Sequence, residues 1–178
     1  MITALFEDED YKNFLPITYT RPVFECRTGM FTFLERAQKA YAESRILLFT
    51  REYLTPTLRK RVSHPVNKPE QIDDHVLLVN SSLILDEKVR RLAQRKLAKN
   101  VLMLQNNRLA IGSLSKEAAR KYGKKLCKPL TRALLRKLSK ECKTLNTTGL
   151  PLMNYPWDLV NQNSDLLQKD YARVGKRE

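Results

Sequence analysis

The 178 residues include 33 Lys and Arg against 19 Asp and Glu, for a net charge of +14, and 42% are apolar. That is enough apolar content to close one core and too much for a disordered chain. No apolar run nears the roughly 18 residues of a membrane span, and MITALFEDED lacks the basic start of a secretory signal, so one cytoplasmic domain over residues 1–178, off the membrane, is expected.

In chain order, ITALF at 2–6 reads as a buried strand running into Glu7, Asp8, Glu9 and Asp10. Such a cluster is either a solvated turn or a metal holder, and its charges need neutralising, for which the nearby arginines are available. Phe14 to Gly29, FLPITYTRPVFECRTG, is too rich in Pro and Thr for a regular element and reads as a shaped loop. Its Arg21 and Arg27 offer fork-shaped donors, and the hydroxyls of Thr18 and Thr20 can donate to phosphate oxygens.

Residues 29–42 have helical apolar spacing, 45–49 read as a second strand, and Thr55-Pro56 opens a short helix with Thr55 as cap. HVLLVN at 75–80 is the clearest buried strand, a continuous apolar run, followed by Ser81, Ser82 and a helix at 87–99 capped by Asp86. Strands at 101–105 and 108–112 flank the hairpin signal Asn106-Asn107. Ser115 caps a helix to about Tyr122, Pro129 opens a basic helix, 144–150 is a loop, and Pro156 starts a final helix on which Trp157, Val160, Leu167 and Tyr171 share a face. This order predicts an α/β fold, a mostly parallel sheet with helices on both faces.

Cys26, Cys127 and Cys142 fit neither a zinc site nor a disulfide framework, and His64 and His75 have no partner at ligand spacing. Lys and Arg concentrate at 88–99 and 116–143, where Tyr122 is the single aromatic and no repeated aromatic interleaving occurs. Such a surface attracts polyanions without specificity, and a second reading is a non-catalytic basic module that binds nucleic acid or an acidic protein. The absence of GxGxxG and of GxxxxGK[ST] excludes the standard phosphate loops. In open α/β sheets ligands lie beyond the strand C-termini, which directs attention to the 14–29 loop and to Asn80-Ser81.

LPITYTRPVFECRTGMFTFLER, RILLFTREYL, DDHVLLVNSSLI and YPWDLVNQNSDLLQKDY, in that order, resemble the N-terminal region of sugar nucleotidyltransferases similar to the bifunctional N-acetylglucosamine-1-phosphate uridyltransferase. The resemblance spans most of the chain. It implies a Rossmann-like nucleotide-diphospho-sugar transferase fold in a shortened form, with a nucleoside triphosphate and a sugar-1-phosphate as substrates and Mg2+ as cofactor. It also implies in-line attack of the sugar phosphate on the α-phosphorus, helped by charge stabilisation. Carried over, Arg21 and Arg27 are the catalytic, phosphate-contacting cations, with Thr18, Thr20, Asn80 and Ser81 near the substrates. Trp157, Asp158 and Asn161 match the later motif, which adds Asp158 and Asn161 to the expected substrate-binding residues, although a Trp-Asp pair at a helix start also serves packing and capping.

Two departures stand out. No glycine precedes Gly29, and the strand at 75–80 ends in Asn80, Ser81 and Ser82, where the family places a metal-binding Asp. The family's C-terminal β-helix of hexapeptide repeats has no counterpart here. The chain is therefore expected to be an excised domain or a short form, with that domain or a partner subunit supplying the rest.

Overall fold

The computed structural model describes residues 1–174. Strands β1 (Ile2–Phe6), β4 (Arg45–Phe49) and β5 (Val76–Asn80) form a parallel block with β1 in the middle. β7 (Arg108–Leu114) pairs antiparallel with β5, β6 (Val101–Gln105) antiparallel with β7, and β8 (Lys143–Asn146) parallel with β6, giving the order β4-β1-β5-β7-β6-β8. A separate hairpin pairs β2 (Arg27–Thr28) with β3 (Phe31–Thr32).

Side-chain alternation along the strands divides the core in two. Leu5, Leu77 and Val79 face one cluster, with Phe33 and Ala37 of α1 (Phe33–Ala40) and Val89 and Ala93 of α3 (Glu87–Lys96). Ile2, Ala4, Phe6, Val76 and Leu78 face the other, with Tyr122 and Leu126 of α4 (Lys116–Leu126) and Leu135 and Leu138 of α5 (Arg132–Glu141). The predicted architecture, an α/β sheet with helices on both faces, is therefore present. The remaining helices are α2 (Thr55–Arg61), α6 (Pro156–Asn161) and α7 (Asn163–Val174). None of the described helices is long and apolar enough to cross a membrane.

Several local expectations hold for the stated reasons. The side chains of Asp86 and Ser115 accept from Val89 N (2.8 Å) and Ala118 N (3.3 Å), capping α3 and α4, and Asn106 and Asn107 both take positive φ in the β6–β7 turn.

Others need correction. Residues 29–32 belong to the β2–β3 hairpin rather than to a helix, and α1 starts at Phe33 behind a Thr32–Glu35 capping box. Thr55 does not cap α2; its hydroxyl accepts from Asn67 Nδ2. α4 runs on to Leu126. Pro129-Leu130 is held extended, because Leu130 N donates to Glu7 O and its carbonyl accepts from Glu9 N, so α5 opens at Arg132 with Thr131 as its cap. Residues 143–146 are a strand, and Gln162 divides the last helix.

Candidate active site

The C-terminal ends of β1, β4 and β5 and the start of β7 meet at one edge of the sheet, where two ion-pair clusters are buried. Glu7 directly follows β1. Its Oε2 accepts from Thr50 Oγ1 (2.6 Å) and Arg51 Nε (3.1 Å), while Oε1 accepts from Arg51 Nη2 (3.2 Å) and Val23 N (3.0 Å). Arg51 in turn donates to the carbonyls of Thr18 (2.6 Å) and Arg21 (2.9 Å) and lies over the ring of Tyr11 at 4.3 Å. This pair gives the 14–28 loop its shape, since it satisfies backbone groups that no regular element covers.

Arg108, only 3% exposed, centres the second cluster. Its Nε lies 2.9 Å from Asp8 Oδ2 and 2.7 Å from Asp10 Oδ2, Nη1 donates to Asn154 Oδ1 (2.8 Å), and Nη2 donates to Ser82 Oγ (3.0 Å). Asn80 Nδ2 donates to Asp8 Oδ2 (2.8 Å) and Leu109 O (2.9 Å), and Asn80 Oδ1 accepts from Ser82 N and Oγ. Arg132 completes the outer side on Asp10 (2.9 Å). Thus Arg51, Arg108 and Arg132 neutralise the acidic cluster after β1, and the side chains of Arg21 and Arg27 take no part in it.

The residues singled out in the sequence divide by what their side chains do. Asn80 is inside the Arg108 cluster. Ser81 is buried beside it, its hydroxyl donating to Phe6 O (2.6 Å), and Thr18 donates to Tyr11 O (3.1 Å). Thr20 and Arg21 are exposed on the loop, and no hydrogen bond holds the Arg21 guanidinium among the described residues. Arg27 is turned toward α1, where it meets Met30 O and Glu35 (3.3 Å). Asp158 caps α6 by accepting from Asn154 N (2.8 Å) and Tyr155 N (3.0 Å), and Asn161 is exposed.

The helix carrying these last two residues, α6, and its successor α7 clamp the β2–β3 hairpin. Thr28 Oγ1 donates to Leu159 O (2.8 Å), Gly29 N to Asn163 Oδ1 (2.8 Å), and Met30 N to Asp170 Oδ2 (3.0 Å). Asp170 also forms a fully buried fork with Arg36 at 2.8 and 2.7 Å. Cys26, the cysteine nearest the arginines in sequence, is buried, and burial outweighs Arg21 and pushes its thiol up to about 11. It is not a nucleophile at neutral pH.

The donors at this edge do not fit a resident magnesium ion. Among the described residues no three His, Cys, Asp or Glu side chains converge on a point. The oxygens of Asp8 and Asp10 that a hard cation would need already face Arg108, Asn80 and Arg132. What the arrangement offers is a rigid, arginine-rich floor beneath a loop that presents Arg21 to solvent.

A family model described as sugar nucleotidyl transferase matches residues 3–178. No curated protein matches the chain in sequence. Among solved structures, a Bacillus anthracis protein described as a glucose-1-phosphate thymidylyltransferase and solved with sucrose is similar at 12% identity, with a TM-score of 0.59 over 94% of this chain and 95% of that one. A 4-diphosphocytidyl-2C-methyl-D-erythritol synthase from Anaerococcus prevotii is similar at 12% identity, with a TM-score of 0.51 over 93% and 98%. At such identities the likeness is one of fold.

Proposed function

Because the chain belongs to the sugar nucleotidyl transferase family, we propose that the edge formed by the ends of β1, β4 and β5 binds a nucleoside triphosphate and a sugar-1-phosphate. The observation that carries this is the pair of buried clusters at the strand ends: Glu7–Arg51 holds the 14–28 loop there with Arg21 exposed, and Asp8–Arg108–Asp10 ties the end of β1 to the start of β7. This is where open α/β sheets place ligands. In the proposed roles Arg21 and Thr20 contact phosphate. Thr18, Asn80 and Ser81 position the loop and the strand ends, because their polar atoms are already bonded within the protein. Arg27, Asp158 and Asn161 belong to the hairpin and helices that back the loop.

For transfer, an oxygen of the sugar phosphate forms a bond to the α-phosphorus as the bond to the β-bridging oxygen breaks, and pyrophosphate leaves. The charge that develops would be met by guanidinium groups. No step is routed through a metal, since the carboxylates that would hold one are engaged by arginine.

The reading is tested by melting the protein with and without nucleoside triphosphate and sugar-1-phosphate. The melting temperature should rise with ligand, and Arg21→Ala should remove the rise while leaving the ligand-free melting temperature unchanged.

A further inference from the structure

The last two helices leave an apolar stripe uncovered. Val160 is 74% and Tyr171 76% exposed, and Trp157, Leu167 and Val174 are exposed by 41% to 57%. The inward side of the same helices is occupied by Leu159, Leu166 and Asp170. With Ser164, the exposed positions are 157, 160, 164, 167, 171 and 174, alternating steps of three and four that repeat every seven residues. That is the period of a coiled-coil seam. Gln162 interrupts the hydrogen-bond ladder between the two helices, but the face is kept across the junction: Leu159 of α6 and Leu166 of α7, seven residues apart, are both buried, so the exposed positions of both helices lie on the same outward side. Tyr155 stacks on Trp157 with ring centroids 4.5 Å apart and extends the stripe. An apolar face of this extent is a mark of association.

We propose that this stripe is the interface of a two-fold symmetric homodimer, in which α6–α7 of one copy packs antiparallel on α6–α7 of another. The charge distribution selects a second copy as the occupant. A chain of net charge +14 repels its own copies over most of its surface, whereas residues 155–174 carry only Asp158, Asp165 and Asp170 against Lys169 and Arg173. Asn161 and Gln168, which flank the seam, are uncharged amides. An acidic partner would be drawn to the basic helices α3, α4 and α5 rather than to this near-neutral stripe.

Side-chain size selects the antiparallel arrangement. An axis between Ser164 and Leu167 sets Trp157 against Val174 of the partner subunit, Val160 against Tyr171 of the partner subunit, and Ser164 against Leu167 of the partner subunit. Each pair joins a large side chain to a small one. A parallel pairing would oppose Trp157 to Trp157 of the partner subunit and Ser164 to Ser164 of the partner subunit, crowding one layer and leaving another unfilled. The antiparallel interface is isologous and closes on itself.

Sedimentation equilibrium on the full chain tests this independently of the nucleotide site. The wild type should sediment as a dimer, Val160→Glu as a monomer, and Val160→Glu with Tyr171→Lys as a dimer again, because the antiparallel pairing brings each new Glu against a new Lys. Tyr171→Lys alone repeats the first disruption at the other end of the seam. Both positions are exposed, so circular dichroism should be unchanged in all variants. A monomeric wild type across micromolar concentrations, a Val160→Glu chain that stays dimeric, or a double variant that fails to recover the dimer would each overturn the proposal.

Discussion

Replacing Arg108 with Met tests how the charged edge of the sheet is held together. The substitution keeps the aliphatic stem and removes the guanidinium from Asp8, which is 4% exposed, and from Asp10, Ser82 and Asn154. Asp8 retains Asn80 Nδ2 and the Asp10 backbone N–H, and Asp10 retains Arg132, so neither carboxylate is stripped of every partner. Breaking a buried pair from one side costs about 3–5 kcal/mol, and the retained donors favour the lower end. At this chain length each kcal/mol moves the melting temperature by about 2–4 °C, which gives a drop of roughly 6–20 °C.

A double-mutant cycle with Asp8→Asn, followed by urea denaturation, should show a coupling of about 0.5–3 kcal/mol. The variant also frees carboxylate oxygens, so Mg2+ or Mn2+ should raise the melting temperature of Arg108→Met and leave the wild type unmoved. An Arg108→Met protein within about 0.5 kcal/mol of the wild type, or a wild type already stabilised by divalent cations, would refute the assignment of Arg108 as the charge that fills this site.

Two further outcomes follow from individual contacts. At Gly29, φ is +65° and a Cβ would lie 2.5 Å from Asp170 Oδ2 and 2.8 Å from Arg36 Nη2, whereas at Gly149, with φ +74°, it would meet nothing within 4 Å. Gly29→Ala should therefore cost more than the ~1–2 kcal/mol of the left-handed backbone alone, and Gly149→Ala no more than that, as read by urea denaturation. At His64, burial lowers the imidazole pKa, and its Nε2 lies 2.6 Å from Gln38 Nε2, which fits a neutral ring accepting from the amide. The unfolded chain binds this proton more readily, so the contribution of His64 to stability is complete above the unfolded pKa of about 6.5. It falls as pH drops through the lower folded value. Stability measured across that window should decline toward acid, and His64→Gln should flatten the decline.

The fold was legible where local chemistry decides it. The continuous apolar runs of β1 and β5 announce strands covered on both faces, Asp86 and Ser115 announce helix starts, and Asn106-Asn107 announces a turn whose two residues both need positive φ. The TFLE box before α1 was also present in the sequence, although the apolar spacing from Gly29 onward obscured it. β8 carried no signal, because its side chains are largely exposed and parallel pairing with β6 makes it a strand.

The site was less legible. Arg51 meets Glu7 across 44 positions and Arg108 meets Asp8 across 100, and no spacing rule connects residues so far apart. A buried arginine also looks the same in sequence as an exposed one. Only the acidic run after β1 hinted that cations must converge there. Similarly, the period of Trp157, Val160, Leu167 and Tyr171 identified a shared helix face, but period alone does not say whether that face turns inward.

The most direct test of the proposed site is a calorimetric titration of nucleoside triphosphate into the wild type and into Arg21→Ala, each with sugar-1-phosphate present. Saturable binding to the wild type is predicted, accompanied at a hundredfold excess over Kd by about 2.7 kcal/mol of stabilisation. Arg21→Ala should lose that binding while folding normally, since its side chain is exposed. Undiminished binding by Arg21→Ala, or no binding of any nucleotide or sugar phosphate by the wild type, would contradict the account.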